Sequence, residues 1–515
     1  MFLRQVEIVG FRGIKRLSLP LSSNTVLIGE NAWGKSSLLS ALSIIFNTNK
    51  KLYQFTESDF YRTKGDSIAD TITILCTFCE NNLNEKKEKY NQHFLPFFIP
   101  HQDGYERIYF RIIGEKQENG NITTKYSFLD QNGNTIDNEN VEQTALFLIA
   151  RHPVYRFRDA RLNKKSILNS KSLDILQQKE IQAVALLLQY YFIDNSQHNE
   201  LLQDPATLWT LVKNLCSQLQ QDQTNKLKKI VFKQLVSLFV IKEQIQITKA
   251  IKPIILFEDP EARLHPRMVS IAWELASYLP IQRITTTNSA ELISQVDLHD
   301  ICRLERIAEE HTQTFRLSSK DLNRTDLRRL TFHIHHNRSL ALYARVWLLV
   351  EGETEVWILN ELAELSGINL AMEGIRIVEF AQCGLRPLIK YARSMGIEWY
   401  VLADGDDAGK RYVDIAKSML TDDQNTFSRI TLLPKKDIEH FFYHSGFEEV
   451  FINLAHWKSN QNYFPTTKII KKAIQRTSKP DLAIALSAEI EKRGKQSIPL
   501  LFKKLFLRVL NLSKN

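Results

Sequence analysis

The residues best suited to chemistry begin with Gly29-Glu-Asn-Ala-Trp-Gly-Lys-Ser36, which match the spacing GxxxxGK[ST]. Gly29 and Gly34 let backbone N–H groups approach a polyphosphate at a helix N-terminus, where the helix dipole favours anions. Lys35 is placed to reach β- and γ-phosphates, and Ser36 offers a hydroxyl to Mg²⁺. Asn31 and Ser37 complete the expected nucleotide-contacting set. Such a site needs an acid at the end of another apolar strand, and Ile254-Ile-Leu-Phe-Glu258-Asp259-Pro260-Glu261 supplies one. Glu258 takes the Mg²⁺-orienting position, and Asp259 the position that polarises an attacking water. Asn288, in Thr285-Thr-Thr-Asn-Ser289, stands where a γ-phosphate sensor is expected. Its amide donates a hydrogen bond but cannot become charged. A strand-to-helix acidic cap explains Glu258 and Asp259 alone, but not their combination with Gly29–Ser36.

A second chemistry is written further along. Val346-Trp-Leu-Leu-Val350 runs directly into Glu351-Gly-Glu-Thr-Glu355, and Glu398-Trp-Tyr-Val-Leu-Ala403 runs into Asp404-Gly-Asp406-Asp-Ala-Gly409. Ligands of parallel α/β sheets sit at the carboxyl ends of strands, so these acidic loops meet if the two strands are neighbours. Converging carboxylates repel one another unless cations neutralise them. Oxygen-only donors favour Mg²⁺ or Mn²⁺ over zinc, and two such ions clamp the attacking and leaving oxygens of a phosphodiester. Glu439, in Asp437-Ile-Glu-His440, is a further metal donor or simply an acid at a helix N-terminus. Lys479, in Ser478-Lys-Pro480, is a cation for a transition-state phosphate or an ordinary surface lysine.

The elements that must hold these groups are legible in outline. Val6-Glu-Ile-Val-Gly-Phe-Arg alternates as a strand, Thr25-Val-Leu-Ile28 is a short apolar strand ending at glycine, and 35–47 reads as a helix. Residues 68–150 are β-branched and aromatic, broken by Asn119-Gly120 and Asn132-Gly133, which predicts hairpins. Residues 160–248 turn rich in Leu, Gln and Lys with helical spacing, a helical insertion suited to dimerisation or to the core. Strand signals resume at Pro253-Ile-Ile-Leu-Phe257 and Arg283-Ile-Thr-Thr-Thr287, and a basic helical stretch, Asp321–Arg345, leads into the second α/β alternation. The expected division is therefore a discontinuous nucleotide-binding domain (1–159 and 249–330), the insertion (160–248), and an acidic-site domain with a helical tail (340–515).

A chain of 515 residues is long enough for two or three such domains. No run of about 18 apolar residues predicts a membrane span, and Met-Phe-Leu-Arg-Gln-Val-Glu does not read as a secretory signal. Five cysteines, odd in number and mostly scattered, fit a reducing cytoplasm. The lone Cys76–Cys79 pair lies in a β-branched run and reads as two strand cysteines in preference to a metal pair. From Lys468 onward, twelve Lys and Arg stand against three Asp and Glu, which equals the whole net charge of +9. Such a tail reads either as a footprint for a phosphate backbone or as a solvated helical face.

Together these motifs resemble an ABC-type ATPase followed by a Toprim domain, the arrangement of the OLD (overcoming lysogenisation defect) nucleases. The opening Val6-Glu-Ile-Val-Gly-Phe-Arg-Gly-Ile14, the Gly29–Ser36 loop, Glu258-Asp-Pro-Glu-Ala-Arg-Leu-His-Pro266 and Leu349-Val-Glu-Gly-Glu-Thr-Glu-Val-Trp357 are similar to the YbjD-like group of that family. The resemblance implies an α/β fold: a P-loop ATPase with a helical insertion, then a Rossmann-like Toprim domain and a basic helical tail. It implies ATP as one ligand, and a homodimer joined through the ATPase part. It also implies Mg²⁺- or Mn²⁺-dependent nicking or cutting of DNA, in phage defence or DNA repair. By resemblance Glu351 is the proton-carrying acid, Asp404 and Asp406 bind metal, and Glu355 serves a second ion.

The chain departs from the ATPase pattern twice. Glu258 and Asp259 reverse the usual Asp-then-Glu order, and no glycine occurs between Gly133 and Gly352 to build the Ser-x-Gly signature that closes such dimers. Only Ser237, in Gln234-Leu-Val-Ser-Leu-Phe239, falls near the expected place. Slow hydrolysis, or nucleotide binding as the whole switch, is the expectation, with a second protein as another source of the missing function. The competing reading is a non-catalytic, nucleotide-gated DNA-binding or repair scaffold of the SMC/RecF-like type.

Overall fold

The computed structural model describes residues 1–62, 68–157, 179–192, 204–224, 226–228, 230–231, 251–263, 266–277, 281–307, 311–318, 320–336, 338–422, 424–457 and 465–514. Ser237 and its flanks, Leu264, His265 and much of the expected helical insertion lie outside them. The chain forms two compact units, 1–315 and 316–515.

The first unit is built on one large mixed sheet. Its strands in chain order are β1 (Phe2–Phe11), β2 (Ile14–Pro20), β3 (Asn24–Ile28), β4 (Thr71–Cys79), β5 (Ile99–Pro100) and β6 (Glu106–Lys116). There follow β7 (Ile122–Leu129), β8 (Val154–Phe157), β9 (Ile254–Glu258), β10 (Gln282–Thr286), β11 (Ile301–Arg306) and β12 (His311–Arg316). One end of the sheet is antiparallel, with β1 pairing β2 and β4, and β6 pairing β4, β5 and β7. The other end, in the order β11-β3-β10-β9-β8, is parallel throughout. The parallel strands are short and mostly buried, as strands covered on both faces must be.

Helix α1 (Lys35–Ile45) buries Leu38, Leu39, Leu42 and Ile45 in the core shared with Val6, Ile8, Ile74 and Phe110. The Asn119-Gly120 turn closes the β6–β7 hairpin with Gly120 at φ +81°, a left-handed conformation that glycine adopts freely. Asn132-Gly133 makes a turn after β7 that returns through a single bridge, Leu129 to Thr135, in place of a full strand pair. Cys76 and Cys79 both lie on β4 as free, buried thiols. Three residues apart on a strand, they point to opposite faces and cannot share an ion. Within the expected insertion, α2 (Lys179–Phe192) and α3 (Pro205–Gln221) are helical and pack together.

The second unit holds a four-stranded sheet whose pairs are all parallel: β13 (Val346–Val350), β14 (Ile375–Glu379), β15 (Glu398–Ala403) and β16 (Ile430–Leu432), in the order β14-β13-β15-β16. All five residues of β13 are buried, because both faces are covered. One face joins Val346, Leu348 and Val350 to α4 (Glu353–Leu365), α5 (Lys479–Arg493) and α6 (Leu500–Lys514) in a single apolar cluster. On the other, Trp347 lies 6.1 Å from Tyr391, ring to ring. The basic tail is thus a structural part of this unit. Phe502, Leu505, Phe506 and Val509 are almost wholly buried, while Lys504 and Lys514 face solvent. Asp321–Arg345, read as helical, is helical in pieces: Arg324–Leu330, a π-turn at Thr331–His336, and a 3₁₀ turn at Ser339–Tyr343.

Candidate functional site

The first site lies at the carboxyl ends of β3, β9 and β10. β3 delivers the chain to Gly29, and α1 starts at Lys35 with Gly34 as its N-cap at φ +95°. A Cβ on Gly29 would lie 2.6 Å from the Leu304 carbonyl oxygen, and one on Gly34 would lie 2.9 Å from Ile14 Cγ1. Both glycines are therefore required by close approach, and not by flexibility alone. Lys35 is buried; its Nζ donates to the Gly29 carbonyl and, at 3.0 Å, to Asn288 Oδ1. Burial lowers the Lys35 pKa, against the pull of Asp259 and Glu261. Asn288 Nδ2 donates to Asn31 Oδ1 at 3.3 Å, and its backbone N–H donates to Glu261 Oε1 at 2.9 Å. Asn288 thus ties β10 to both ends of the glycine loop. Ser36 is exposed at the first turn of α1, whereas the Ser37 hydroxyl accepts from the Gly13 N–H at 3.3 Å and faces the β1–β2 turn.

Asp259 adopts φ +46°, a left-handed conformation that Asp tolerates better than most residues. Its N–H donates to the Thr286 carbonyl at 3.0 Å, and its carboxylate accepts from the Thr286 hydroxyl at 3.2 Å. Burial raises its pKa. Glu258 is met by an arginine that belongs to no motif. Arg156 on β8 reaches Glu258 Oε2 through Nε at 3.0 Å and through Nη2 at 2.8 Å, and its Nη1 donates to Ser40 on α1 at 3.0 Å. Nothing in Val-Tyr-Arg-Phe marks this arginine; the β8–β9 pairing brings it to the acid.

The second site lies in the other unit. β13 and β15 pair in parallel with Leu349 opposite Val401, so Glu351 and Asp404 leave the carboxyl ends of adjacent strands. The order β14-β13-β15-β16 makes the gap between β13 and β15 the point where the chain reverses its direction of winding, the expected position for a ligand crevice. Glu355, in the first turn of α4, is buried and accepts from the Gly352 N–H at 2.9 Å. Asp406 accepts from the Gly409 N–H at 2.8 Å, capping the helix Asp407–Lys417. Two glycines shape this loop. A Cβ on Gly409 would lie 1.8 Å from the Asp404 carbonyl oxygen, and one on Gly405 would lie 2.2 Å from the Lys435 carbonyl oxygen. The loop after β16 therefore packs against the Asp404–Asp406 loop, which brings in Asp437 and Glu439.

The electrostatics show that these acids sense one another. Burial first, then Glu355, Glu351, Asp437 and Glu439, push Asp404 up to about 8. Burial, then Asp437 and Glu355, push Glu439 up to about 7. Glu351 is raised by burial, Asp406 and Glu355, and its Oε2 is buried without a hydrogen-bond partner. Asp437, which no motif spacing marks as a donor, acts on both Asp404 and Glu439. It caps the helix Ile438–Phe442, and its Oδ1 lies 2.6 Å from His440 Nδ1. Among the described residues no three His, Cys, Asp or Glu side chains already stand around one point as an ion cage. The carboxylates share a field without a finished coordination sphere. Lys479 opens α5, with its side chain outside the described set.

Two family models cover most of the chain. One, described as a protein of unknown function (DUF2813), matches residues 1–179 and 168–341. The other, the TOPRIM domain of overcoming-lysogenization-defect-like proteins, matches 342–406, the stretch holding Glu351, Asp404 and Asp406. Along its whole length the sequence is 40% identical to the uncharacterized protein YbjD of Escherichia coli (strain K12), covering 99% of that protein. The chain belongs to the YbjD-like group of the OLD family. Among solved structures, the C-terminal region of the Burkholderia pseudomallei OLD protein aligns over 33% of this OLD-family chain and 99% of its own, at 17% identity and TM-score 0.28. The SMC head domain from Thermotoga maritima aligns over 62% of this chain and 100% of its own, at 10% identity and TM-score 0.33. No described helix of this family member is long and apolar enough to cross a membrane.

Proposed function

We propose that the chain is an ATP-binding, Mg²⁺- or Mn²⁺-dependent DNA endonuclease, with its cutting site in the Toprim unit. The observation that carries this reading is the exit of Glu351 and Asp404 from adjacent parallel strands into one shared acidic field. The donors fit a hard divalent cation: all are carboxylate oxygens, and one buried oxygen of Glu351 lacks any partner. Asp404, Asp406, Glu355 and Glu439 would hold the ions, and Glu351 would serve beside them as metal donor and, when released from the ion, as proton carrier. A bound pair of divalent ions would neutralise the acids and polarise the attacking and leaving oxygens of a phosphodiester. The chain's own part is to fix the carboxylates through the glycine contacts and helix caps, with Glu351 placed beside them as the proton carrier of the proposed reaction.

In this reading the other unit binds ATP through Asn31, Gly34, Lys35 and Ser36, with Glu258 and Asp259 at the metal and water positions, and regulates a homodimer. A role in phage defence or DNA repair belongs to the same reading and is supported by the likeness to the OLD family alone. The test is supercoiled plasmid with Mg²⁺ or Mn²⁺, comparing wild type with Glu351→Ala and Asp404→Ala. Nicking by wild type, falling by about 100-fold or more in each variant, is expected from loss of one preorganised electrostatic group. Nicking that persists in both variants would remove the assignment. DNA binding without nicking in any metal would leave the scaffold reading in its place.

A further inference from the structure

Arg283, the second residue of β10, sits at the opposite end of that strand from Asn288. It is 6% exposed, and its Nε and Nη1 are buried without hydrogen-bond partners. Its guanidinium lies 5.5 Å from the centre of the Trp273 ring. Asp300 acts on its charge, and that carboxylate also accepts from Asn24 Nδ2 at 2.8 Å. Burial lowers the Arg283 pKa to about 10, so the group remains a cation at neutral pH. A buried guanidinium without an anion or a full set of acceptors is strongly unfavourable, and folded proteins rarely keep one idle.

Arg283 lines a cavity of about 740 Å³. That volume falls within the range of about 300–1,000 Å³ typical of small-molecule sites. Arg4 and Lys252 also line it, with Ser22, Ser23 and Asn81 among its polar groups, and among the described residues no Asp or Glu does. Lys252 is partnered by Glu85, while Arg4 is exposed. Ser22 and Ser23 precede β3, Lys252 precedes β9, and Gln282 opens β10, so the cavity lies at the amino-terminal ends of the parallel strands. The glycine loop is at their carboxyl ends, roughly 16 Å away along a five-residue strand. The two sites are therefore separate.

We propose that this cavity binds a phosphorylated small molecule whose phosphate is received by Arg283. A planar guanidinium with free N–H groups matches phosphate oxygens in pairs. Arg4 adds positive potential, the charge of Lys252 is met by Glu85, and among the described residues no Asp or Glu lines the cavity. The volume far exceeds that of one phosphate, so the ligand carries an organic part.

The experiment uses the full chain carrying Lys35→Ala, which disables the glycine-loop site, with pyrophosphate and AMP as separate probes by calorimetry without divalent metal. Saturable binding of at least one probe is expected, weakened at least about tenfold by Arg283→Met, the usual scale for removing a charged partner. The ligand-free melting temperature of Arg283→Met should hold or rise, because an unpaired buried charge is gone. Exposed Arg4→Ala should weaken binding while leaving the core untouched, so it stands as the test if Arg283→Met does not fold. AMP binding where pyrophosphate fails supports the organic part. The proposal is overturned if neither probe binds, if affinity is unchanged in the variants that fold, or if a folded Arg283→Met melts lower without ligand.

Discussion

At the residue scale, Asp404 is the most informative group, because its proton reports the whole acidic field. In the unfolded chain it ionises near 3.8 and Glu439 near 4.5, but in the fold they are lifted to about 8 and about 7. The folded state therefore keeps protons that the unfolded state has released. Their contribution to stability is full at acid pH and is lost as pH rises from about 4 to about 8. Melting in EDTA should show this loss, and Asp404→Asn should flatten it. Mn²⁺ should raise the melting temperature more at pH 8 than at pH 5, since ion binding needs the carboxylates deprotonated. An equal rise at both pH values would contradict the shared field.

At the element scale, the acidic loop depends on contacts that no other residue type permits. Gly409→Ala would drive a methyl group into the Asp404 carbonyl, so the loop or the helix Asp407–Lys417 must shift. We expect a destabilisation of about 1–3 kcal/mol, typical of forced overpacking, together with loss of Mn²⁺-induced stabilisation, both read by denaturant titration. Arg156 makes a comparable link in the other unit, joining β8 to Glu258 and to Ser40 of α1. Arg156→Ala should remove the link between β8, Glu258 and Ser40 and weaken nucleotide affinity without touching the glycine loop, as equilibrium binding of ATP would measure. Unchanged affinity would assign this pair a purely structural role.

At the scale of the whole molecule, the glycine loop and the acidic loops belong to two different compact units. Lys35→Ala should abolish ATP binding yet keep Mn²⁺-induced stabilisation, and Glu351→Ala should do the reverse. Failure of this separation would mean that the ion and nucleotide sites are one. ATP turnover should fall below about 1 per second, the lower end of usual enzyme rates. The chain lacks the signature glycine, and Asp259 carries a shorter side chain than glutamate where the water is polarised. Turnover at that rate or faster would sink this expectation.

Motif residues were legible from spacing because their chemistry is local. Gly34 needs a positive φ beside Lys35, and Glu351 and Asp404 each follow an apolar strand directly. Membership of the OLD family was legible for the same reason, as was the helical character of the tail. The sequence could not show that β13 and β15 lie side by side, that β8 presents Arg156 to Glu258, or that Asp437 joins the acids through the packing of Gly405 against Lys435. Nor could it show Arg283 buried with its Nε and Nη1 unbonded. Each depends on which strands pair and in what order, which long-range packing decides. A spacing code extends only one turn or one strand from its own residues.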